Sequence, residues 1–269
     1  MLLTRRRLAQ AAGGVVFLAA GARLATAAAE SPPPRSGATT KRLHLLRHGQ
    51  ATHNPRAEAA RAAGCSFDEF LRLMKEDDAF DAELTELGRQ QAREASARLG
   101  GSMGGVELVV CSPLSRALDT AILVLPEPSS RGPFLAHDDL RERSGWMLNA
   151  KRRSRSQLQA RYPALDTSSA LWSEADELWG PDELEPTADC AERGYRLLRW
   201  ISERAEEEVA VVGHGGLFHY LLNEHPKVRA ADARAAARFA NCELRSLSLT
   251  WTGTGDARVF EVACDAGGV

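Results

Sequence analysis

Short apolar runs alternate with longer segments of helical periodicity through the body of the chain. Apolar runs at 43–46, 106–111 and 209–212 have the length and composition of buried strands. Between them, apolar positions recur at helical spacing in four segments, at 67–75, 85–99, 114–125 and 188–207. Strands that alternate with helices predict a three-layer α/β/α sandwich, in which helices cover both faces of a mostly parallel central sheet.

The two flanks of this body have patterns of their own. Residues 243–251 and 258–263 alternate apolar and polar positions, which predicts two strands that form a hairpin at the sheet edge. A Pro- and Ser-rich segment precedes the body, and neither an internal repeat nor a second such segment follows it. We therefore interpret residues 30–40 as a linker and residues 41–269 as one domain.

The first 29 residues have the layout of a targeting signal. Three arginines, Arg5 to Arg7, precede an apolar run at 8–22 and an alanine-rich stretch at 25–29. The arginines resemble a twin-arginine export signal, and the acid-free composition also suits an organelle transit peptide. The apolar run is shorter than the roughly 20 residues that a membrane-spanning helix needs. We expect export to the periplasm or the exterior, or import into an organelle such as a plastid, with a mature form off the membrane; a segment without targeting function would leave the protein cytoplasmic.

Composition excludes several function classes. A hydrophobic fraction of 44% and a charged fraction of 26% are typical of a globular protein. The 34 basic and 36 acidic residues, which become 30 and 36 without residues 1–29, argue against general nucleic-acid affinity. The five cysteines are scattered and never form C-x-x-C, so neither a zinc site nor a disulfide framework is predicted. We expect no metal and no cofactor.

Polar residues follow all three predicted strands. Arg47 and His48 come directly after the first strand, His214 follows the third, and Arg116 lies about one turn into the helix after the second. Because ligands bind beyond the carboxyl ends of parallel strands, we expect these four side chains to share one crevice.

Backbone groups at the same strand ends also favour an anion. Pro113 suits the first turn of a helix, and the free amides of a helix start attract negative charge. Gly49 and Gly215 allow the backbone to approach a bound group closely. Two arginines, two histidines and a helix start together predict a phosphoryl group as the ligand.

Four segments resemble, in order, the motifs of the histidine phosphatase superfamily, also called the phosphoglycerate mutase-like family. LLRHGQATHN at 45–54 is similar to R-H-G-[EQ]-x-x-x-N, and VGHGG at 212–216 is similar to the second histidine motif. LTELGRQQA at 84–92 and SPLSRALDTA at 112–121 look like the two helix motifs of the family. A lone R-H-G is weak, whereas four motifs in order are specific. The resemblance runs from about residue 42 to 225 and implies the phosphoglycerate mutase-like fold.

The resemblance implies a catalytic role for His48, which is expected to attack phosphorus and form a phosphohistidine. The carbonyl of Gly49 or a nearby one is expected to accept the other ring proton, and the neighbouring arginines keep the ring neutral. The phosphoryl oxygens are expected to be held by four side chains, those of Arg47, Arg116, His214 and Asn54. An Asx turn before Pro55 is the alternative for Asn54.

The acid that protonates the leaving oxygen and later activates water is expected to be Glu142. Residues 140–145 resemble the family's acid loop, L-x-E-x-x-G, although mutases proper usually carry an aromatic residue or histidine where Ser144 stands. Asp138 and Asp139 are therefore alternatives for the acid, and a solvated loop position is the alternative for Glu142.

Other enzyme classes fit the motifs less well. Cys111 and Arg116 are one residue too close for the C-x-x-x-x-x-R of cysteine phosphatases. His214 and His219 are five residues apart and lack the glutamate of the zinc-binding H-E-x-x-H helix. The basic run 151–153 is interpreted either as a grip for a second substrate phosphate or as a solvated face.

The segment between the first two motifs separates a hydrolase from a mutase. True mutases resemble one another in a Gly-Trp pair there, whereas this chain has a longer helical insert, 58–78, as do plant, algal and fungal mutase-like proteins. We expect the insert to roof the pocket and set specificity. The prediction is a metal-independent phosphomonoester hydrolase that acts through a phosphohistidine on a small phosphorylated substrate. A mutase and a non-catalytic phosphoryl-binding module are the alternatives.

Overall fold

The computed structural model describes residues 40–125, 134–171 and 173–265. The predicted targeting signal and the predicted linker up to residue 39 lie outside these ranges, whereas Thr40 is already part of a strand. The described strands are β1 (Thr40–Arg47), β2 (Leu108–Cys111), β3 (Phe134–Ala136), β4 (Leu165–Asp166), β5 (Glu208–Gly213), β6 (Val228–Ala230), β7 (Leu244–Thr252) and β8 (Val259–Cys264). The described helices are α1 (Pro55–Ala62), α2 (Phe67–Glu76), α3 (Glu86–Leu99), α4 (Ser115–Val124), α5 (Arg155–Arg161), α6 (Thr187–Glu203), α7 (Gly215–Glu224) and α8 (Ala233–Ala236). Within the described ranges, none of these helices has both the length and the apolar character needed to cross a membrane.

The strands form one sheet in the order β4-β3-β2-β5-β1-β7-β8-β6. Neighbouring strands are parallel, except that β7 runs antiparallel to both β1 and β8. The predicted mostly parallel sheet is therefore confirmed. β2, β5 and β1 lie side by side, so their carboxyl ends meet at one edge although they are far apart in sequence.

Successive residues of the central strands pack into two separate cores, one on each face of the sheet. One core joins the strands to α6 and α7, through residues that include Leu43, Leu45, Val211, Leu198 and Phe218. The other joins them to α3 and α4, through residues that include Leu46, Val212, Ala92 and Leu118. Because side chains of a strand alternate between its faces, a strand covered on both sides is apolar on both faces for most of its length, as in β2 and β5. The predicted three-layer sandwich is confirmed.

Side-chain caps decide where several helices begin. α2 and α3 are capped locally by the hydroxyls of Ser66 and Thr85. The start of α4 is instead capped by a residue that is remote in sequence. The carboxylate of Asp81 accepts hydrogen bonds from the backbone N–H of Ser115 at 2.8 Å and from its hydroxyl at 2.6 Å. α4 therefore begins at Ser115, and the prediction that Pro113 lies in its first turn is wrong. At this helix start, where the sequence predicted amides available to an anionic ligand, the N–H of Ser115 donates to Asp81.

Two features of the sheet were not predicted correctly. The tail does form the predicted hairpin, β7 and β8, but β6 pairs in parallel with β8 and lies outside it. The hairpin is therefore not at the sheet edge. β3, β4 and β6 were not predicted at all, because a strand of two or three residues is too short to show a periodic pattern.

Candidate active site

The carboxyl ends of β1, β5 and β2 bring together residues that are distant in sequence. The N–H of His48, just after β1, donates to the carbonyl of Gly213 at 3.1 Å, and the N–H of Ser112, just after β2, donates to that of Val212 at 2.9 Å. His214 follows β5, and its Nε2 lies 2.8 Å from Ser112 Oγ. The ring centroids of His48 and His214 are 5.0 Å apart. Both histidines of the motifs therefore belong to one site.

The surroundings of His48 set its tautomer and its charge. Its side chain is buried, and Nδ1 lies 2.6 Å from the carbonyl oxygen of Gly49, which can only accept. The proton is therefore on Nδ1, and the lone pair of Nε2 is available. Burial and the positive charges of Arg116 and Arg47 hold the pKa of His48 well below its usual 6.5. The imidazole is therefore neutral at physiological pH.

Arg116 reaches the histidine from the first turn of α4. Its guanidinium is fully buried, with Nε 3.4 Å from His48 Nε2, and Nη1 donates to the carbonyl of Asn149 at 2.6 Å. Burial lowers the pKa of Arg116 to about 10, while the charge of Glu142 opposes the shift. Asp78 accepts hydrogen bonds from both the backbone and the side-chain amide of Asn149, so the loop that orients Arg116 is itself fixed.

Arg47 is oriented by the other side of the site. Nη1 donates to the carbonyl of Phe239 at 2.9 Å, and Nη2 forms an ion pair with Glu58 of α1. A Cβ atom on Gly215 would lie 3.2 Å from Arg47 Nε, so the glycine leaves room for the guanidinium. Gly215 thus acts on the site through Arg47.

Gly49 has a packing function in this structure. A Cβ atom at this position would lie 2.6 Å from the carbonyl oxygen of Gly88 in α3, so the chain after β1 can pass the helix only as glycine. Its N–H donates to the hydroxyl of Thr120. The close backbone approach predicted for Gly49 is therefore an approach to α3, and Gly49 is not among the residues that line the cavity described below.

Several buried nitrogen atoms around His48 have no hydrogen-bond partner among the described residues. They are Arg47 Nε, His53 Nδ1, Arg116 Nη2 and His214 Nδ1. Each unpaired buried donor costs roughly 1–3 kcal/mol, and more when it is charged. A ligand with several anionic oxygens would satisfy these donors.

His53 is a site residue that the sequence analysis missed. It is 2% exposed, lines the cavity and leaves Nδ1 unpartnered. Burial, followed by the charges of Arg116 and Arg47, holds its pKa well below 6.5, so its ring is neutral. The only available signal was its position inside the first motif, directly before Asn54.

Asn54 both closes a turn and faces the cavity. Its Oδ1 accepts the N–H of Ala51 at 3.0 Å, which is the Asx-type bond considered as its alternative. Pro55 then occupies the first position of α1. Asn54 Nδ2 lies 4.0 Å from Met74 Sδ, and both side chains line the cavity. The turn and the amide-donor hypothesis are therefore compatible.

Glu142 is held at the amino end of α7. Its carboxylate accepts the N–H groups of Gly216 at 3.1 Å, Leu217 at 3.0 Å and Arg143 at 2.9 Å. It lines the cavity, and its charge acts on Arg116. The partial positive charge at the amino end of α7 interacts favourably with this carboxylate, and the helix amides fix its position. Glu142 is thus a fixed residue of the site and not a solvated loop acid.

The alternative acids are engaged elsewhere. Asp138 pairs with Arg152 at 2.9 Å, Asp139 pairs with Arg196 at 2.5 Å, and neither aspartate lines the cavity. The basic run 151–153 also lies apart from the cavity lining. Arg152 is 2% exposed, so neither interpretation of this run, a phosphate grip or a solvated face, describes it.

A cavity of about 140 Å³ opens next to His48. One wall comes from the insert, as expected, and consists of Glu58, Arg61, Phe67, Phe70, Leu71 and Met74. The facing wall contains Glu142, Arg143, Leu184, Tyr220, Arg238 and Phe239. The polar floor is formed by Arg47, His48, His53 and Asn54. The site therefore combines a cationic floor with walls that are largely apolar and aromatic.

The groups considered for other chemistries are arranged differently. Cys111 is completely buried, and burial raises the pKa of its thiol. In the described part of the chain, no three His, Cys, Asp or Glu side chains are grouped so that they could hold a metal ion.

Comparison with known proteins gives matches over most of the chain. Residues 43–257 match the family model of the histidine phosphatase superfamily (branch 1). Two Arabidopsis thaliana proteins, phosphoglycerate mutase-like protein and phosphoglycerate mutase-like protein 1, are 32% and 34% identical; each match covers 77% of this chain, and 83% and 80% of those proteins. A glucosyl-3-phosphoglycerate phosphatase from Mycobacterium tuberculosis is 28% identical, with 78% of this chain and 86% of that protein covered. A solved structure called mycobacterial hydrolase 2 is 26% identical and has a TM-score of 0.49, with coverages of 84% and 90%.

Proposed function

Because this chain belongs to the histidine phosphatase superfamily, we propose that it is a metal-independent phosphomonoester hydrolase that acts through a phosphohistidine on a small phosphorylated substrate. The observation that carries the proposal is the set of four unpartnered buried nitrogen atoms around a neutral His48. They supply donors for the oxygens of a phosphoryl group next to the one ring nitrogen that is free to attack it.

The first half of the reaction transfers the phosphoryl group to His48. The Nε2 lone pair attacks phosphorus, the bond to the ester oxygen breaks, and the leaving oxygen takes the proton of Glu142, which enters this step as the carboxylic acid and leaves it as the carboxylate. Arg47 and Arg116 hold the non-bridging oxygens as their charge grows. The hydrogen bond to Gly49 stabilises the positive charge that the ring acquires.

The second half restores the enzyme. Glu142, now a carboxylate, takes a proton from water as the water oxygen attacks phosphorus and the N–P bond breaks. His48 leaves as a neutral imidazole, and inorganic phosphate is released. Ser112 Oγ accepts the N–H of Leu114, and we propose that its hydroxyl proton is donated to His214 Nε2. In that tautomer, His214 Nδ1 carries a proton that can reach a phosphoryl oxygen.

The experiment compares the full chain with its His48→Asn variant. Phosphate release from p-nitrophenyl phosphate and a panel of phosphorylated metabolites is measured in the presence of EDTA. We expect turnover by the wild type, an acid-labile phosphoprotein in rapid-quench samples, and the loss of both in the variant. Turnover that requires an added metal would contradict the metal-independent mechanism.

Two further outcomes correspond to the alternatives. Interconversion of 3-phosphoglycerate and 2-phosphoglycerate without phosphate release would identify a mutase. Phosphate binding with no turnover and no phosphoprotein would identify a non-catalytic binding module.

A further inference from the structure

Beyond the phosphoryl clamp, the cavity continues between aromatic and apolar side chains. Phe67 and Phe70 of α2 lie with ring centroids 6.3 Å apart and nearly parallel planes. Phe67 is 49% exposed and lines the cavity. Tyr220 and Phe239 line the facing wall. The space between these walls suits the apolar body of a substrate.

Two arginines line this outer part of the cavity and form no ion pair with an acid among the described residues. The side chains of Arg61, at the end of α1, and Arg238, before β7, form no ion pair or hydrogen bond with the described residues. Arg61 lies with its guanidinium carbon 3.4 Å from the ring centroid of Phe70. Burial, and then the positive charges of Arg238 and Arg47, lower the pKa of Arg61, so these cations are close enough to repel each other.

Neighbouring arginines away from the cavity are paired. Arg56, on the same helix as Arg61, binds Asp77 at 2.8 Å and Glu76 at 3.1 Å. Arg234, four residues before Arg238, lies 3.6 Å from Asp232. The one carboxylate of the insert that lines this part of the cavity, Glu58, is already the ion-pair partner of Arg47. Glu58 also attracts Arg61, but its direct ion pair is with Arg47, so among the described residues neither Arg61 nor Arg238 has an ion pair of its own.

We propose that Arg61 and Arg238 form a second anion-binding subsite, so that the substrate is a phosphomonoester with a second anionic oxygen group beyond an apolar body. Planar guanidinium groups bind carboxylate and phosphate oxygens well, and an anion between two like charges relieves their repulsion. The stacked face of Phe70 holds the Arg61 fork in place, which reduces the entropy lost on binding. This subsite rests on the proposed function, because the clamp at His48 defines where the first phosphate lies.

The subsite can be tested by binding, without turnover. Dissociation constants are measured by calorimetry for pairs of non-hydrolysable ligands of equal chain length, an alkylphosphonate and the corresponding ω-carboxyalkylphosphonate, with two to six methylene groups. A third series of α,ω-bisphosphonates distinguishes a carboxylate from a second phosphate. At the best length, we expect the second anion to tighten binding to the wild-type chain at least about fivefold.

For each pair, the affinity ratio is the dissociation constant of the alkylphosphonate divided by that of its ω-carboxy counterpart. This ratio is then compared between variants. In Arg61→Gln and in Arg238→Gln we expect the ratio to fall below about twofold, whereas the controls Arg56→Gln and Arg234→Gln keep the wild-type ratio. The ratio in the wild type should also fall as NaCl is raised, which requires no variant. A ratio near one in the wild type at every length, or a ratio unchanged in both cavity variants, overturns the subsite.

Failure of the subsite and failure of the proposed function are distinguishable. Turnover of p-nitrophenyl phosphate with a wild-type ratio near one retains the hydrolase and overturns the subsite. A ratio of fivefold or more without turnover retains the subsite and overturns the hydrolase.

Discussion

At the scale of single residues, the site depends on the shape of the Arg116 guanidinium as much as on its charge. Nη1 is bonded to Asn149, Nε faces His48, and Nη2 remains for a ligand. A single ammonium group cannot make these three contacts at once, because it is a compact charge on a flexible stem. In the proposed mechanism, one guanidinium group therefore contacts both His48 and the phosphoryl oxygens.

The Arg116→Lys substitution keeps the positive charge but removes the planar guanidinium group, so it tests the geometry separately from the charge. We expect kcat/KM for p-nitrophenyl phosphate to fall about 10²-fold or more, which is typical for the loss of one transition-state donor. The measurement is steady-state kinetics, with the circular dichroism spectrum as the control for folding. Activity within threefold of the wild type would contradict the role of the fork.

The buried histidines link the stability of the fold to pH. His48, His53 and His214 all have pKa values held well below 6.5, by burial and by Arg116 and Arg47. Below pH 6.5, the unfolded chain takes up protons at these positions and the folded chain does not. The contribution of these three histidines to the free energy of unfolding is therefore fully present above pH 6.5 and is lost as the pH falls below this value.

The His53→Gln variant tests this linkage at one position. The free energy of unfolding in urea should depend less steeply on pH below 6.5, by about 1.4 kcal/mol per pH unit, because one titrating group is removed. Measurements at pH 7.5, 6.0 and 5.0 determine the slope. An unchanged slope would show that His53 titrates similarly in both states.

At the scale of elements, the amino end of α7 positions Glu142, the proposed acid. A Cβ atom on Gly216 would lie 2.3 Å from Glu142 Oε1, so only glycine permits the observed contact. The helix and the acid loop are thus fitted to each other, although they are more than 70 residues apart.

The Gly216→Ala substitution should therefore displace Glu142 and weaken proton transfer. We expect kcat to fall more for an alkyl phosphate, whose leaving oxygen needs a proton, than for p-nitrophenyl phosphate, whose leaving group is a weak base. Gly180→Ala is the matched control, because a Cβ atom there meets nothing within 4 Å. Equal losses for both substrates would argue against Glu142 as the acid.

The start of α4 is a second element whose position the site requires. Asp81 caps it through Ser115, directly before Arg116, and does so with a positive φ of 45°. The same carboxylate lies 2.9 Å from Arg153 Nε. One acid, from the segment that follows the insert, therefore contacts both the helix start and the basic run.

Removal of this cap should destabilise the protein. We expect Asp81→Ala to lower the free energy of unfolding by about 2–3 kcal/mol, because a cap is lost, buried donors are unpaired and alanine disfavours the positive φ. Asp81→Asn should cost less, since asparagine tolerates this conformation and still accepts a hydrogen bond. Urea unfolding curves measure both. Equal costs would show that the charge alone stabilises the helix start.

At the scale of the whole molecule, an acidic chain encloses a basic cavity. The sequence has a net charge of −2, whereas Arg47, Arg61, Arg143 and Arg238 line one cavity. Positive charge in a cleft of low dielectric constant concentrates anionic ligands there. The acidic balance of the chain therefore does not argue against a phosphorylated substrate.

The proposed targeting role of residues 1–29 concerns where the whole protein is transported in the cell. Fused to a reporter that is active only after export, this segment should direct it out of the cytoplasm, and replacement of Arg5 and Arg6 by Lys should abolish twin-arginine transport. Cell fractionation measures the distribution. Reporter that stays in the cytoplasm with the native segment would favour an organelle signal or no signal.

Long elements could be predicted from the sequence because their patterns are local. α2, α3 and α6 follow helical spacing, and β1, β2 and β5 are apolar runs covered on both faces. The motif residues Arg47, His48 and His214 were expected to meet because parallel strands end at one edge. β6 and the cap of α4 were not predictable, since β6 depends on β8 and the cap depends on Asp81, both remote in sequence.

The layers, the central strands and the candidate nucleophile His48 with its arginines could be predicted from the sequence alone, because periodicity and adjacent motif residues lie within short stretches of chain. The three-dimensional fold was needed to show that Glu142 and not Asp138 lies in the cavity, that His53 belongs to its floor, and that Arg61 and Arg238 line the same cavity. These are contacts between segments from tens to almost two hundred residues apart. Such contacts depend on how the insert and the loops pack over the sheet, and no local pattern carries that information.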